Sequence, residues 1–416
     1  MRKFWIVFIS ILLCVGIIGS VYGEIRLEVW NSDHNPDAQK WYKEVFVPAF
    51  EKSHPGVKVE MVFTPWGPQY TEKILTSYAA GKGPDILMGG AEFIDDFVLK
   101  NIVIDITDRV KAWPDYKNFD PATTGNQIYN GRIYGIVLTS DSRHFLYRKD
   151  LFKEVGLDPN KPPSTWEQFR TAALKLTKKE GNTLVRMGCS IDMYYQTLNN
   201  IVYQNGGEMI SPDKSNALFN SPEAVEALEF WGKLFNEIAP PGTVLTAPMP
   251  LFAAGKIAMA QWSGTPTIAD VRIYAPQLLD QVGIAPPLKR KKQIVLCYNN
   301  WLGIGSQSKN PDMAWEFLKF HLRPTYIAQY AHTLYRLPGL KTALNLPILA
   351  QDPFIRALAR QRAQYGMATW TAPEFRNIRN VIDPELDNFL RGKKTAKQAL
   401  DDAVANVNKI LAQYKK

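Results

Sequence analysis

The sequence predicts an α/β fold in which strands and helices alternate along the chain. Two segments, 25–30 and 57–63, alternate apolar and polar residues with the two-residue period of a strand. Helical patterns follow them at 38–52 and 69–80, and a short apolar run at 85–88 indicates a buried strand. This β-α-β-α order is typical of an open sheet that carries helices on its faces.

The later part of the chain contains several helix start signals. Thr165 stands three residues before Gln168, which is the spacing of a capping box. Ser221 and Asn310 each precede a proline, so each is predicted to cap a helix whose first residue is that proline. An apolar stripe begins after Thr395 and predicts a C-terminal helix. No internal repeat or low-complexity linker interrupts this order.

The composition excludes several classes of protein. A length of 416 residues suggests two or three domains. With 46% hydrophobic and 21% charged residues, the chain is not disordered, collagenous or a polytopic membrane protein. Three cysteines and five histidines exclude a disulfide scaffold, and we expect no metal or other cofactor. The net charge of +9 is spread out and lacks a basic motif with interleaved aromatics, so we expect no nucleic-acid partner.

The first 23 residues have the layout of a secretory signal peptide. Arg2 and Lys3 form a positive start, an apolar run covers 4–21, and Gly23 supplies a small residue at the cleavage position. The alternatives are an N-terminal membrane anchor and lipidation at Cys14. The run is short for a membrane span, and Cys14 lies among apolar residues rather than in a lipobox. We therefore expect cleavage after Gly23.

Six short motifs occur in order across the mature chain. They lie at 50–59, 81–86, 130–136, 146–157 with 164–169, 255–259 and 308–318. Together they resemble the motifs of extracellular solute-binding proteins of carbohydrate-uptake ABC transporters (family 1, similar to maltodextrin-binding protein). Val137 stands where this family usually has proline, and Arg148 stands where it usually has asparagine.

The resemblance implies a two-lobed, periplasmic-binding-protein-like (type II) fold with hinge strands that cross between the lobes. It places the crossings near residues 136–139, 261–264 and 322–323. The expected lobes are 24–137 plus 263–322 for the first and 138–262 plus 323–416 for the second. The ligand is then expected to lie between them, since clefts between domains are preferred binding sites.

The resemblance also implies a function. We expect an exported receptor, periplasmic or associated with the cell surface, that captures a sugar or oligosaccharide. It would act as a monomer and deliver the ligand to the membrane permease subunits of an ABC importer. No enzymatic activity is expected.

Aromatic residues in predicted loops are candidates for stacking on the flat C–H faces of a sugar. Trp66 follows a strand in a loop held by proline and glycine, and Trp262 lies beside an expected hinge. Trp370 lies in a short polar loop close to where related proteins keep a stacking ring. Tyr194 and Tyr195 lie close to the family's spacing for a pair of site aromatics. Packing in the core is the alternative for each of these rings.

Polar side chains that bind sugar hydroxyls form the second set of candidates. Asp33 and Glu92 follow predicted strands, and Asp141 follows the first expected hinge, where related proteins carry a sugar-binding acid. Asn300 and Trp301 are neighbours on one predicted strand and complete the set. Each carboxylate has the alternative of a helix cap or a solvated loop charge, and Trp301 has the alternative of core packing.

Two other classes of function stay open from the sequence. One is a binding protein for an acidic or phosphorylated solute, which Arg143, Arg148 or Arg336 could hold through bidentate contacts. The other is a secreted glycan-active enzyme, which needs two carboxylates across a glycosidic bond. The adjacent acid pairs at 95–96 and 401–402 point apart on a helix, and no catalytic motif is present, so the enzyme is the less favoured class.

Overall fold

The computed structural model describes residues 24–33 and 35–414. The expected signal peptide, with its cleavage site after Gly23, lies outside the described residues. The strands are β1 (Ile25–Asn31), β2 (Val57–Phe63), β3 (Ile86–Gly89), β4 (Ile128–Tyr129), β5 (Arg132–Ile133), β6 (Ile136–Ser142), β7 (His144–Arg148), β8 (Lys178–Glu180), β9 (Thr183–Cys189), β10 (Ile257–Ser263), β11 (Val282–Ala285), β12 (Val295–Ile304), β13 (Leu337–Pro338) and β14 (Gly366–Ala368).

Helices follow most of these strands, as the alternating pattern predicts. They are α1 (Pro36–Trp41), α2 (Val47–Ser53), α3 (Pro68–Ala79), α4 (Ile94–Leu99), α5 (Thr107–Lys111), α6 (Lys149–Glu154), α7 (Trp166–Leu176), α8 (Tyr195–Gln204), α9 (Pro222–Ile238), α10 (Thr265–Tyr274), α11 (Pro311–His321), α12 (Pro324–Thr333), α13 (Pro347–Ala350), α14 (Pro353–Tyr365), α15 (Phe375–Leu390) and α16 (Ala396–Leu411). A π-helical turn over Tyr42–Phe46 joins α1 to α2, so the helix predicted at 38–52 is continuous.

The helices begin where the sequence signals predict, but the predicted capping bonds at Thr165 and Asn310 are incomplete or absent. Thr165 and Ser221 accept backbone N–H bonds at the start of α7 and α9. The full reciprocal capping box forms at Thr395, not at Thr165, because the Gln168 side chain accepts from Ser164 instead. The Asn310 side chain makes no capping bond to α11.

The larger sheet has the strand order β13-β6-β12-β3-β1-β2, and β14 pairs with β12. Strands β1, β2 and β3 are parallel neighbours, so their carboxyl ends meet at one edge of the sheet. Strand β12 runs antiparallel to β3 and to β6. Helices pack around this sheet and form one hydrophobic core with it, which includes Leu27, Ile86 and Phe46.

The smaller sheet has the strand order β11-β7-β10-β9-β8 and contributes to a second core that includes Trp166, Trp231 and Leu400. Leu146, Ala260 and Val282 of this sheet belong to the first core. We call the larger sheet with its core the first lobe and the smaller sheet with its core the second lobe. The chain crosses between the lobes from β6 to β7, along β12, and after β14. This is the mixed α/β, two-sheet arrangement that the resemblance implies.

Sheet membership differs from the expected boundaries in two regions. Within 263–322, strand β11 pairs with β7 of the second lobe, and the core that contains α10 also contains Leu146, Ala260 and Val282 of the smaller sheet. Helices α12 to α14, expected in the second lobe, also pack into the first core, so the last crossing comes near 366–369 and not at 322–323. Local motifs mark elements well, but they do not show which of two sheets a strand joins.

Two further observations concern the described residues as a set. Cys189 and Cys297 are buried and unpaired. No helix among residues 24–33 and 35–414 has both the length and the apolar character needed to cross a membrane.

Candidate functional site

A cavity of about 340 Å³ lies between the two lobes and contains most of the predicted site residues. Both lobes and the hinge strands contribute to its wall. The lining residues are Ser32, Asp33, Trp66, Ala91, Glu92, Asp141, Arg143, Tyr194, Tyr195, Gln196, Tyr298, Asn300, Arg336 and Arg379. Seven of the ten residues predicted from the sequence therefore meet at one place: Asp33, Trp66, Glu92, Asp141, Tyr194, Tyr195 and Asn300.

The first lobe contributes the residues that follow its three parallel strands. Asp33 comes two residues after β1, Trp66 three residues after β2, and Glu92 three residues after β3. Because β1, β2 and β3 are parallel neighbours, these loops emerge side by side at the carboxyl edge of the sheet. Ligands of open α/β sheets bind beyond this edge.

Asp33 is held in place by an arginine and a tyrosine. Its Oδ1 accepts from Arg336 Nη1 at 2.9 Å, and its Oδ2 accepts from the Tyr330 hydroxyl. Burial alone would lower the pKa of Arg336, but the nearby Asp33 and Asp141 carboxylates outweigh it and leave the pKa raised. Arg336 therefore stays charged.

Trp66 is the most open ring of the cavity on the first-lobe side. Its side chain is 37% exposed, and it contacts Phe93 and Tyr70 at ring-centroid distances of 5.2 and 5.7 Å. The ring lies against Gly90, where an added Cβ would come within 2.5 Å of it. Because residue 90 is glycine, the Trp66 indole can pack against the backbone next to Glu92, and its other face borders the cavity.

The hinge strands contribute a charged pair and an amide. Asp141 on β6 lies opposite Tyr298 on β12, and Asn300 lies opposite Thr139. Arg143, in the crossing from β6 to β7, is 3.2 Å from Asp141 Oδ2 and lies over the Tyr298 ring at 4.9 Å. Burial alone would lower the pKa of Arg143, but the Asp141 carboxylate and the nearby tyrosines raise it by more. The pKa is therefore raised overall, and the guanidinium stays charged.

The second lobe contributes the start of α8. The Tyr195 hydroxyl donates to Glu92 Oε1 at 3.1 Å and accepts from Gln196 Nε2 at 2.8 Å. Burial raises the pKa of Tyr195, which keeps the hydroxyl protonated as a donor. Tyr194 is 37% exposed and donates to Gln196 Oε1 at 3.0 Å. The Tyr195–Glu92 hydrogen bond joins the two lobes across the cavity.

Several polar atoms of the cavity wall have no hydrogen-bond partner in the described part of the chain. They are Asp141 Oδ1 and the Nε atoms of Arg143, Arg336 and Arg379. Buried polar groups are normally bonded, so these atoms leave hydrogen-bonding capacity unused next to the cavity.

Trp262 lies in an adjoining cavity of about 210 Å³ that shares Arg143, Tyr194 and Gln196 with the first one. Its backbone has a φ of 53°, and its ring contacts Trp231 at a centroid distance of 4.5 Å. Trp262 is therefore next to the central cavity and not in its wall.

Trp301 is placed in the core of the first lobe and not in the cavity wall. It is fully buried, its Nε1 donates to the Gly90 carbonyl at 2.9 Å, and a Cβ at Gly89 would come within 2.1 Å of its ring. Successive residues of a strand face opposite sides of the sheet, so Asn300 faces the cavity when Trp301 faces the core.

Trp370 is likewise outside the central cavity. It is 7% exposed, stands 4.7 Å from the Phe375 ring, and donates from Nε1 to Asn199 Oδ1 at 3.1 Å. Thr369 and Thr371, which suggested an exposed loop, are buried themselves. Thr371 Oγ1 accepts from Lys214 Nζ at 2.6 Å, so a polar residue at this place does not indicate exposure to solvent.

Of the three arginines expected to bind an anion, two lie in the cavity wall and one does not. Arg143 and Arg336 line the cavity, whereas Arg148 is 3% exposed, pairs with Asp150 and donates to the Phe252 carbonyl. Arg379 lines the cavity without having been predicted, because it lies in the amphipathic helix α15, where a charged residue usually faces solvent. Ser32, Gln196 and Tyr298 also line the cavity without having been predicted, although each lies within two residues of a predicted one.

No group of three or more histidine, cysteine or acidic side chains that could hold a metal occurs within 24–33 and 35–414. The wall of the cavity offers aromatic faces, carboxylates, an amide and guanidinium groups. This set recognises a polar organic molecule by stacking and hydrogen bonding.

Comparison with known proteins agrees with this geometry. Residues 33–327 match the family model described as bacterial extracellular solute-binding protein. The chain is 25% identical to the sn-glycerol-3-phosphate-binding periplasmic protein UgpB of Escherichia coli K12 over 445 residues, covering 98% of this chain and 97% of that protein.

Two solved structures have the same fold over nearly the whole chain. One is an ABC transporter solute-binding protein from Thermotoga lettingae with bound α-D-tagatose, with a TM-score of 0.79 and 24% identity. The alignment covers 93% of this chain and 100% of the Thermotoga lettingae chain. The other is the sugar-binding protein MalE of Xanthomonas citri, with a TM-score of 0.81, 22% identity and coverage of 94% and 98%.

Proposed function

The chain belongs to the bacterial extracellular solute-binding protein family, and on this premise we propose that it captures a sugar or oligosaccharide between its two lobes and delivers it to an ABC importer. It works outside the cytoplasmic membrane, in the periplasm or at the cell surface. The proposal includes a monomeric receptor that docks on the permease subunits of the importer and releases its ligand chemically unchanged.

The observation that carries the proposal is the composition of the interlobe cavity. An aromatic face at Trp66 stands beside the carboxylates of Glu92, Asp33 and Asp141 and the amide of Asn300. Aromatic faces cover the C–H side of a sugar ring, and carboxylates and amides bind its hydroxyls. The relatives support this assignment, since the Thermotoga lettingae protein has tagatose bound and MalE is described as sugar-binding.

The mechanism that fits this geometry is closure of the lobes around the ligand. Trp66 and Glu92 belong to the first lobe, Gln196 and Tyr195 belong to the second, and all four border one cavity. A ligand that touches both sets of residues binds the closed form more tightly than the open form and shifts the population toward it.

The test is a thermal-shift screen of the mature chain against monosaccharides and oligosaccharides. A ligand that binds only the folded protein stabilises it by about 2.7 kcal/mol at 100 times its Kd, so a true ligand raises the melting midpoint. The hit is then titrated by calorimetry into the wild type, Glu92→Gln and the control Glu44→Gln, which makes the same change at an exposed site.

We expect Glu92→Gln to weaken binding and Glu44→Gln to leave it unchanged. Chromatography of the ligand after incubation should return it intact, and cells that lack the protein should lose uptake of the labelled ligand. A screen in which no sugar raises the midpoint, or a ligand that is recovered cleaved, would contradict the proposal.

A further inference from the structure

The charges that line the central cavity are not all paired with one another. Arg143 pairs with Asp141 at 3.2 Å, and Arg336 pairs with Asp33 at 2.9 Å. Arg379 is the third guanidinium in the wall. Among residues 24–33 and 35–414 it forms no ion pair within 4.0 Å, and its buried Nε has no hydrogen-bond partner.

The surroundings of Arg379 hold its guanidinium in a defined position. Its guanidinium carbon stands 4.2 Å from the centre of the Tyr195 ring, a cation–π contact that fixes the plane of the group. Asp383, one helical turn further along α15, accepts the Tyr195 backbone N–H at 2.8 Å rather than an arginine N–H. The charges of Asp383 and Arg379 attract each other, but no acceptor within 24–33 and 35–414 is hydrogen-bonded to the fork of Arg379.

The third carboxylate of the cavity, Glu92, is hydrogen-bonded to the hydroxyl of the same residue, Tyr195. Its Oε1 accepts from the Tyr195 hydroxyl, whereas Arg379 lies over the ring face. Glu92 and Arg379 thus offer two different chemistries, an acceptor for ligand hydroxyls and a cationic fork. A hydroxyl alone supplies Arg379 with a hydrogen bond but no charge. Asp383 attracts Arg379 electrostatically without forming an ion pair with it, so a ligand anion bound directly to the fork would compensate a partly buried charge that has no bonded acid.

We propose that the ligand carries an anionic group, a carboxylate or a phosphate, that Arg379 binds through two parallel N–H bonds while its hydroxyls face Glu92, Asp141 and Trp66. Arginine is the side chain best suited to such bidentate recognition of carboxylate and phosphate. This inference rests on the proposed function, because it concerns the same cavity, and it narrows the ligand to acidic or phosphorylated sugars and polyols.

The experiment compares matched neutral and anionic probes. D-Glucose is compared with D-glucuronic acid and D-glucose 6-phosphate, and glycerol with glycerol 3-phosphate, so that the carboxylate and phosphate arms are read separately. Each probe is titrated into the wild type, Arg379→Gln, Arg379→Lys and the control Arg391→Gln. Arg391 lies at the end of the same helix and pairs with Asp387 at the surface.

We expect anionic probes to bind the wild type and Arg391→Gln equally, and Arg379→Gln to raise their Kd about 10- to 100-fold. Arg379→Lys should recover part of this loss, since it keeps the charge but not the fork. Neutral probes should change by no more than about twofold between the wild type and Arg379→Gln. Melting of each variant without ligand checks that the fold is intact.

Two other results separate the inference from the proposed function. If neutral sugars bind the wild type as tightly as the anionic members, and Arg379→Gln acts like Arg391→Gln, the anionic ligand is refuted and sugar binding stands. If neither these probes nor any sugar of the wider screen binds the wild type, the proposed function fails as well.

Discussion

Replacing Lys214 with methionine should weaken ligand binding more than it weakens folding. Lys214 Nζ donates to Asp95 Oδ1 at 2.5 Å and to Thr371 Oγ1 at 2.6 Å. Asp95 lies in the first turn of α4, in the first lobe. Lys214 lies in a loop of the second lobe, which the hydrogen bond from the Ala217 N–H to Asn408 connects to α16. The ion pair therefore joins the lobes outside the central cavity.

The magnitude follows from the burial of the two partners. Asp95 is fully buried, but the Lys214 side chain is 29% exposed. Removing one partner of a fully buried pair costs about 3–5 kcal/mol, and exposed pairs contribute about 0.2–1 kcal/mol. We expect an intermediate cost of about 1–3 kcal/mol, since solvent screens one side.

The cost should appear in the closed form, where the two lobes are in contact. When the lobes separate, water reaches Asp95 and removes most of the penalty. Lys214→Met is therefore expected to raise the ligand Kd about 5- to 150-fold. This full increase in Kd applies if the ligand-free protein is mostly open. If the ligand-free protein is mostly closed, the variant shifts it toward the open form, which increases its radius of gyration and raises Kd by less.

Calorimetry and small-angle X-ray scattering measure these two effects. Lys233→Met is the control, because Lys233 is an exposed lysine of α9 in the same lobe. The double variant Asp95→Asn with Lys214→Met should recover part of the lost affinity, since it leaves no buried charge. The reasoning is refuted if Lys214→Met lowers the melting temperature but leaves both Kd and scattering unchanged.

Three further predictions concern tryptophans and buried histidines. Trp66→Ala should reduce ligand affinity by roughly 1–3 kcal/mol and change the melting temperature little. Trp301 is fully buried, so Trp301→Ala should cost about 3–5 kcal/mol of folding stability. Equal effects of the two variants on the melting temperature would contradict the assignment. Trp370→Ala should lower the melting temperature as a core truncation does, and unchanged melting with lost binding would instead return Trp370 to the site. Burial lowers the pKa of His144 to about 4 and of His321 to about 3, below the 6.5 of the unfolded chain. The unfolded chain thus binds more protons below pH 6.5, so stability is full above that pH and falls by about 1.4 kcal/mol per pH unit for each histidine as the pH drops toward 4. Urea unfolding from pH 7.5 to 4.5 measures the slope, and an unchanged slope in His321→Gln would argue against this cause.

The parts of the fold that depend on local pattern were predicted well. Alternation identified β1 and β2, and apolar periodicity identified α3 and α16, because a two-residue or 3.6-residue period follows directly from which face is buried. The position after a strand identified Asp33, Trp66 and Glu92. It succeeded because β1, β2 and β3 are parallel and their loops share one edge.

The remaining errors come from contacts between distant parts of the chain. Trp301 was expected beside Asn300 in the site, but adjacent strand residues face opposite sides. Trp370 has polar neighbours that are buried at the hinge. Arg379 has the pattern of a solvent-facing helix residue, and only the packing of α15 against Tyr195 brings it to the cavity. Such placements are set by tertiary packing and leave no local signal.

The central claim is that the ligand binds between the lobes in the cavity shared by Trp66, Glu92, Arg143 and Tyr195. A crystal structure of the protein with the tightest ligand from the screen tests it most directly. The account predicts ligand density that contacts Trp66 and Glu92 of the first lobe and the hinge or second-lobe side chains Arg143 and Gln196. Density confined to one lobe, or lying in the separate cavity beside Trp370, would contradict it.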